Sequence, residues 1–155
     1  MTESTFDRGI ILILRILMGW TFLYAGVWQI WENNSAAGFL QHVVTFHHFF
    51  AIFATPEMLP YTNILMKLGH LLIGLSLVFG CMVRLSGLFG ILLMITYYFA
   101  HMQWPYIENH DNFIVNYHLV YTFLILYLMV HHAGRVFGID GLIAKRYPRL
   151  WGLFG

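Results

Sequence analysis

Nine histidines stand in a chain of 155 residues that carries only eight Lys and Arg and seven Asp and Glu. Seven of them, His42, His47, His48, His70, His101, His110 and His118, fall in segments that the charge pattern below assigns to one side of a membrane. Two spacings stand out. Lys67 and His70 lie one helical turn apart, and so do Tyr97 and His101. His118 follows Asp111 at the start of a further apolar run, and Gln29 closes the first one. Lys67, His70, Tyr97, His101, His118 and Gln29 are therefore the candidates for a polar pocket.

Three chemistries suit such a set. Lys67, His70 and Tyr97 could hydrogen-bond a quinone headgroup and relay its protons. Imidazoles at His70, His101 and His118 suit Zn or Cu. Paired histidines on facing helices could ligate a haem. Alternatively, the same side chains are interhelical hydrogen bonds that hold a bundle together. No H-x-x-E-H or H-E-x-x-H spacing occurs. The adjacent pairs His47-His48 and His131-His132 point about 100° apart on a helix and form no natural chelate.

The elements that must carry these groups are apolar. Residues of the AVILMFWYC set make up 59% of the chain and charged residues 10%, against about 25% charged in soluble domains. So few charges exclude a disordered or nucleic-acid-binding chain. So much apolar surface excludes a small water-soluble monomer. Residues 10–30 are long enough to cross a hydrocarbon core of about 30 Å. The run over 62–102 would be about 60 Å long as one helix, so it reads as two spans, 62–82 and 85–102, turned near Arg84. Residues 112–132 form the fourth. Residues 39–54 are too short to span. Phe39, Val43, Phe46, Phe50 and Phe53 recur at helical spacing, which predicts an amphipathic helix in the membrane interface between the first two spans.

The expected fold is thus an all-α, four-span membrane bundle in one domain. Arg8, Arg84, Arg135, Lys145, Arg146 and Arg149 flank the ends that four spans place together, while residues 32–61 and 103–111 hold no Lys or Arg before the second span begins. By the positive-inside rule both termini face the cytoplasm of a cell membrane. The basic, aromatic tail over 141–155 is expected against the cytoplasmic headgroups. Asn33-Asn34-Ser35 matches a glycosylation sequon on the other side. Cys81 is the single cysteine, so neither an intrachain disulfide nor a C-x-x-C pair exists.

Arg15, Arg84 and Arg135 read as structural. Arg15, about five residues into its span, either snorkels to headgroups or ties the first helix to another helix's C-terminal carbonyls. Gly19 and Gly26 continue its face, and Gly69, Gly74, Gly87 and Gly90 mark further close helix approaches.

The first span reads Arg15-Ile-Leu-Met-Gly-Trp-Thr-Phe-Leu-Tyr-Ala-Gly26. Gly74-Leu-Ser-Leu-Val-Phe-Gly80 and Arg84 follow, then Asn112-Phe-Ile-Val, and last Ala133-Gly134-Arg135 with Gly138-Ile-Asp140. Over nearly the whole chain this order resembles the DoxX superfamily, and within it the DoxD-like proteins, the small-subunit type of thiosulfate:quinone oxidoreductase. The resemblance implies a four-helix membrane protein that accompanies a partner subunit and passes electrons to quinone. The sequence departs from the pattern at two points. Gln29 stands where a Lys commonly follows the Ala-Gly, and His70 where an acidic residue is often found.

The functional expectation is an accessory membrane subunit of an oxidoreductase complex, not catalytic alone, with lipids and other membrane subunits as partners and quinone as its associated cofactor. Electron transfer from thiosulfate to quinone with a partner subunit is one alternative. Thiosulfate is a dianion, and on the pocket side only Lys67 and protonated His oppose four carboxylates. The other alternative is an outward-facing His-based metal or haem subunit.

Overall fold

A computed structural model describes residues 4–147. The tail beyond Tyr147, including Arg149, lies outside them. Helix α1 (Thr5–Trp31) opens with a capping box. The Ser4 hydroxyl accepts the Asp7 N–H at 3.1 Å, and the Asp7 carboxylate accepts the Ser4 N–H at 3.0 Å. Ile11, Arg15, Met18, Phe22 and Gly26, at steps of four and three, form its buried stripe. Helix α4 (Leu59–Phe79) starts with Pro60 in its first turn and ends at Gly80. The φ of +65° at Gly80 is the left-handed cap that glycine adopts without a Cβ penalty. Helix α5 (Val83–Ala100) follows after the turn at Cys81 and Met82. That turn lies slightly earlier than the sequence suggests, so Arg84 sits in the first turn of α5 rather than between two spans.

Helices α1 and α4 run antiparallel in close contact. A Cβ on Gly26 would lie 2.5 Å from the Leu71 nitrogen, and one on Gly74 would collide with the backbone of Leu23. Only hydrogen at these two positions permits the approach. The main core joins Ile11, Met18 and Phe22 of α1 to Ile73 and Leu77 of α4, Met94 of α5, and Ile125 and Leu128 of helix α6 (Tyr117–Val130). Much of the outward surface is large and apolar, including Trp20, Leu65, Leu92 and Phe123, as a lipid-facing surface should be.

Among the described residues three helices, α1, α4 and α5, are long and apolar enough to cross a membrane. Helix α6 is apolar but has 14 residues, about 21 Å. The expected fourth span over 112–132 therefore starts late. Residues 109–113 instead form strand β3 (Asn109–Phe113) of an antiparallel sheet with β1 (Met102–Gln103) and β2 (Tyr106–Ile107), in the order β1-β2-β3. His110, Asp111 and Asn112 are weak helix formers, and pairing with β2 satisfies this stretch. Helix α6 begins where Asn116 can cap it, its Oδ1 accepting the Leu119 N–H. The all-helical expectation holds apart from this small sheet.

The single amphipathic helix expected over 39–54 is also broken. Two short helices, α2 (Ala37–Leu40) and α3 (His47–Ile52), replace it. Phe46 between them takes a left-handed backbone, φ 56°, and is exposed, while the Thr45 hydroxyl donates to the Met102 carbonyl. Anchoring of Thr45 to the sheet turns the chain there. Leu40, Val43 and Phe50 still bury themselves, together with Ala36 and Ala100. This end, with α2, α3 and the sheet, is the loop end of the bundle. The α4–α5 turn and helix α7 (Ile139–Arg146) mark the turn end.

Candidate functional site

Tyr97 of α5 occupies the middle of a ring cluster near the loop end. The His70 ring of α4 lies 5.6 Å from it at 23°, and the His118 ring of α6 lies 5.7 Å from it at 64°. His101, one turn along α5, stacks on His118 at 5.0 Å and 24°. Phe22 of α1 flanks His70, and Phe39 of α2 flanks both Tyr97 and His101. Four sequence candidates, His70, Tyr97, His101 and His118, are thus brought together.

The other two are not. The Lys67 ammonium donates to the Asn33 side chain at 2.8 Å, closing the loop after α1. Gln29 is half-buried with its Oε1 unpartnered, and it lines neither of the two cavities described below. The departure from the family pattern at Gln29 therefore lies away from the ring cluster.

Hydrogen bonds set the imidazole tautomers. A carbonyl only accepts, so His70 Nδ1–H donates to Met66 at 2.8 Å, and His101 Nδ1–H donates to Tyr97 at 2.9 Å. In the neutral rings Nε2 is then an acceptor. His118 is the opposite. Asn116 turns its Oδ1 to Leu119, so its Nδ2–H faces His118 Nδ1 at 2.8 Å. Neutral His118 therefore keeps its proton on Nε2. The cluster offers one donor imidazole, two acceptor imidazoles and a phenol.

A cavity of about 210 Å³ lies against this cluster. Thr21, Phe22 and Ala25 of α1, His70 of α4, Met94 and Tyr97 of α5, and Tyr117, His118 and Tyr121 of α6 line it. Thr21 and Tyr117 are exposed, so the cavity meets the apolar outside between α1 and α6. Tyr117, Tyr121 and Asn116 escaped the sequence reading, and Phe22 entered it only as a packing residue on the Arg15 face. The four-residue step from Tyr117 to Tyr121, on the helix that carries His118, was the available signal. A second cavity of about 200 Å³ sits toward the loop end, lined by Phe39, His42, His101, Gln103 and Glu108 among others.

As a metal centre the cluster is poorly built. Among the described residues no group of three His, Cys, Asp or Glu side chains could hold a metal ion. His101 and His118 present parallel faces to each other, whereas two ligands of one ion aim ring nitrogens at a common point.

At the turn end lies a second polar constellation. Arg15 is buried, 1% exposed, and does not snorkel. Its Nη1 donates to the carbonyls of Ala133 and, at 2.8 Å, Val136, in the 3₁₀ turn that follows α6 (Ala133–Arg135) and the residue after it. Asp140, fully buried, accepts the Met82 and Val83 N–H groups at 2.7 and 3.1 Å and so caps α5. The Asp140 N–H returns to the Gly80 carbonyl at 2.8 Å. A Cβ on Gly138 would meet Arg15 Nη1, and one on Gly134 would collide with the Asp140 carboxylate. Arg84 is half-buried and Arg135 exposed; neither shares the position of Arg15.

Arg15, Gly80, Ala133-Gly134 and Gly138-Ile-Asp140 are among the elements on which the family resemblance rests, and here they form one knot. A family model described as TQO small subunit DoxD matches residues 10–151. The chain belongs to the DoxD family. No curated protein and no solved structure matches it. The match takes in all of α4 through α7, so the knot and the ring cluster both fall within the DoxD region.

Proposed function

We propose that this DoxD-family chain is the membrane subunit of a quinone-linked oxidoreductase complex and that the cavity between α1, α4, α5 and α6 holds the quinone headgroup. One observation carries the reading. An apolar, aromatic cavity at the level of membrane-crossing helices is walled by the His118 donor, the His70 acceptor and the Tyr97 phenol. A headgroup ring needs that combination, with its two oxygens accepting when oxidised and donating when reduced. Ligand pockets of about 300–1,000 Å³ hold drug-sized molecules. This smaller one suits a single ring, with an isoprenoid tail passing into lipid between Thr21 and Tyr117.

Electrons arrive from a partner subunit. The loop end is a poor place for thiosulfate itself, because Glu32, Glu57, Glu108 and Asp111 lie there and the Lys67 ammonium is engaged by Asn33. Oxidation of that dianion is assigned to the partner. The membrane placement completes the reading. Helix α6 makes the fourth crossing, α2 and α3 lie in the interface, and the Arg- and Lys-bearing turn end faces the cytoplasm.

The test uses the purified full chain in lipid nanodiscs, titrated with decylubiquinone by equilibrium dialysis against protein-free discs. Saturable binding is expected. His118→Leu and Tyr97→Phe should each weaken it about tenfold, the equivalent of one good hydrogen bond at about 1.4 kcal/mol. Lys67→Met should leave it within about twofold, since the ammonium is held outside the cavity. Uptake no greater than partitioning into empty discs would overturn the proposal.

A further inference from the structure

The two cavities share a wall, and the wall is built of paired polar groups. Each pair has one member on either side. His101 lines the loop-end cavity and stacks at 5.0 Å on His118, which lines the membrane cavity. Glu108 lines the loop-end cavity, and its carboxylate acts electrostatically on the Tyr117 phenol, which lines the membrane cavity. The two pairs are tied together, since the Glu108 N–H donates to the His101 carbonyl at 2.8 Å. Phe39 covers His101 from α2. His42 and Gln103 on the far wall, with the exposed Glu108, bring the loop-end cavity to the aqueous surface.

We infer that His101 and Glu108 pass protons between the loop-end surface and the membrane cavity, by way of His118 and Tyr117. The inference deepens the quinone reading and rests on it for its purpose. Converting a quinone to its quinol adds two electrons, from the partner's donor, and two protons, which on this geometry come from the loop-end side. The reverse reaction would return them there.

The chemistry of the wall supplies the step. His118 keeps one proton, on Nε2, because its Nδ1 accepts from Asn116. Once that proton passes to a headgroup oxygen, the emptied Nε2 accepts another through a bridging water from His101 protonated at its own Nε2, and the loop-end surface restores the His101 proton. The remaining titratable groups around this pair are His70 from α4, Tyr97 from α5, Tyr117 and Tyr121 from α6 and His42 beside α2. No Lys or Arg lines either cavity, so no fixed positive charge obstructs the path.

The test follows the His118 Nε2–H by nitrogen NMR in histidine-labelled protein in nanodiscs, measuring its exchange with water, alongside decylubiquinone binding. In the unsubstituted chain exchange is expected to be fast. His101→Phe keeps the stack, and with Glu108→Gln should slow His118 exchange by at least about tenfold, the scale of losing a positioned acid–base group. Quinone affinity should stay within twofold. His42→Ala serves as a milder variant that leaves the stack untouched and should slow exchange less. Unchanged His118 exchange in the double variant, in a chain that retains its helical circular dichroism, would overturn the inference. Slowed exchange in a chain that binds no decylubiquinone would keep the proton route and overturn the quinone reading instead.

Discussion

Arg15 shows how one residue can set the cost of an entire end of the bundle. Its guanidinium is out of water, with Nη1 donating to main-chain carbonyls of another segment, Nε buried without a partner and the Asp140 charge acting on it. Arg15→Met removes the donors and leaves the buried Ala133 and Val136 carbonyls without them. The expected loss is about 3–5 kcal/mol, the range for breaking one side of a buried charged network, read from the midpoint of unfolding in mixed micelles. Arg15→Lys keeps the charge without the fork and should cost clearly less. A loss under about 1 kcal/mol, the range of surface ion pairs, would show that the knot is not a stabilising contact. The residue types at both sites were visible in the sequence, because a charge or an imidazole in an apolar run must be accommodated. For Arg15 the kind of partner was also legible, since the carbonyls at another helix's C-terminus were one of its two readings. The cap that Asp140 places on α5 was not, because Gly138-Ile-Asp140 marked the residue only as part of a motif. Lys67 was misplaced for a related reason. Its position on α4 gives its depth, but its long side chain reaches back to Asn33.

Among the elements, the α1–α4 pair is the most exacting. Its closeness depends on Gly26 and Gly74, which meet main chain on the facing helix, where nothing can yield. Gly74→Leu is expected to force the helices apart, at about 1–3 kcal/mol or more for overpacking. It should also move Phe22 off His70, seen as broadening of the His70 ring resonances. Gly69→Leu, where a Cβ would meet open space, is the matched control and should change neither. The long apolar helices were legible because their length and composition leave few alternatives. The stretches between them were not. Periodicity over 39–54 reported a buried stripe, and Val43 and Phe50 are buried, yet it could not register the left-handed step at Phe46. Likewise residues 112–116 were read as helix by hydrophobicity. Strand pairing with β2 depends on a partner segment that no local window contains.

For the molecule as a whole, the connection between the two polar sites is topological. The ring cluster joins α4, α5 and α6 near the loop end, and the Arg15 knot joins α1, α6 and α7 at the other. Both require α6 to run from one end to the other. A pH-sensitive fluorescent reporter fused after Gly155 is expected to report the cytoplasm, and a cysteine placed at Asn109 to be labelled by a membrane-impermeant maleimide from outside. The opposite pattern would reverse the side from which protons reach the cavity. Charge bias is the sequence signal behind this expected orientation, since Lys and Arg avoid residues 32–61. The lateral opening between α1 and α6 was not readable, because it arises from how two distant helices meet.

The acceptors of the Arg15 guanidinium come from the last part of the chain, more than a hundred residues after it. During synthesis the first helix must therefore enter lipid long before its permanent counterparts leave the ribosome. A product truncated before Ala133 would hold a bare cation among acyl chains, an unstable state that invites proteolysis. The knot thus works as a receipt for completed translation, and only a full-length chain can retire the debt incurred when α1 inserts.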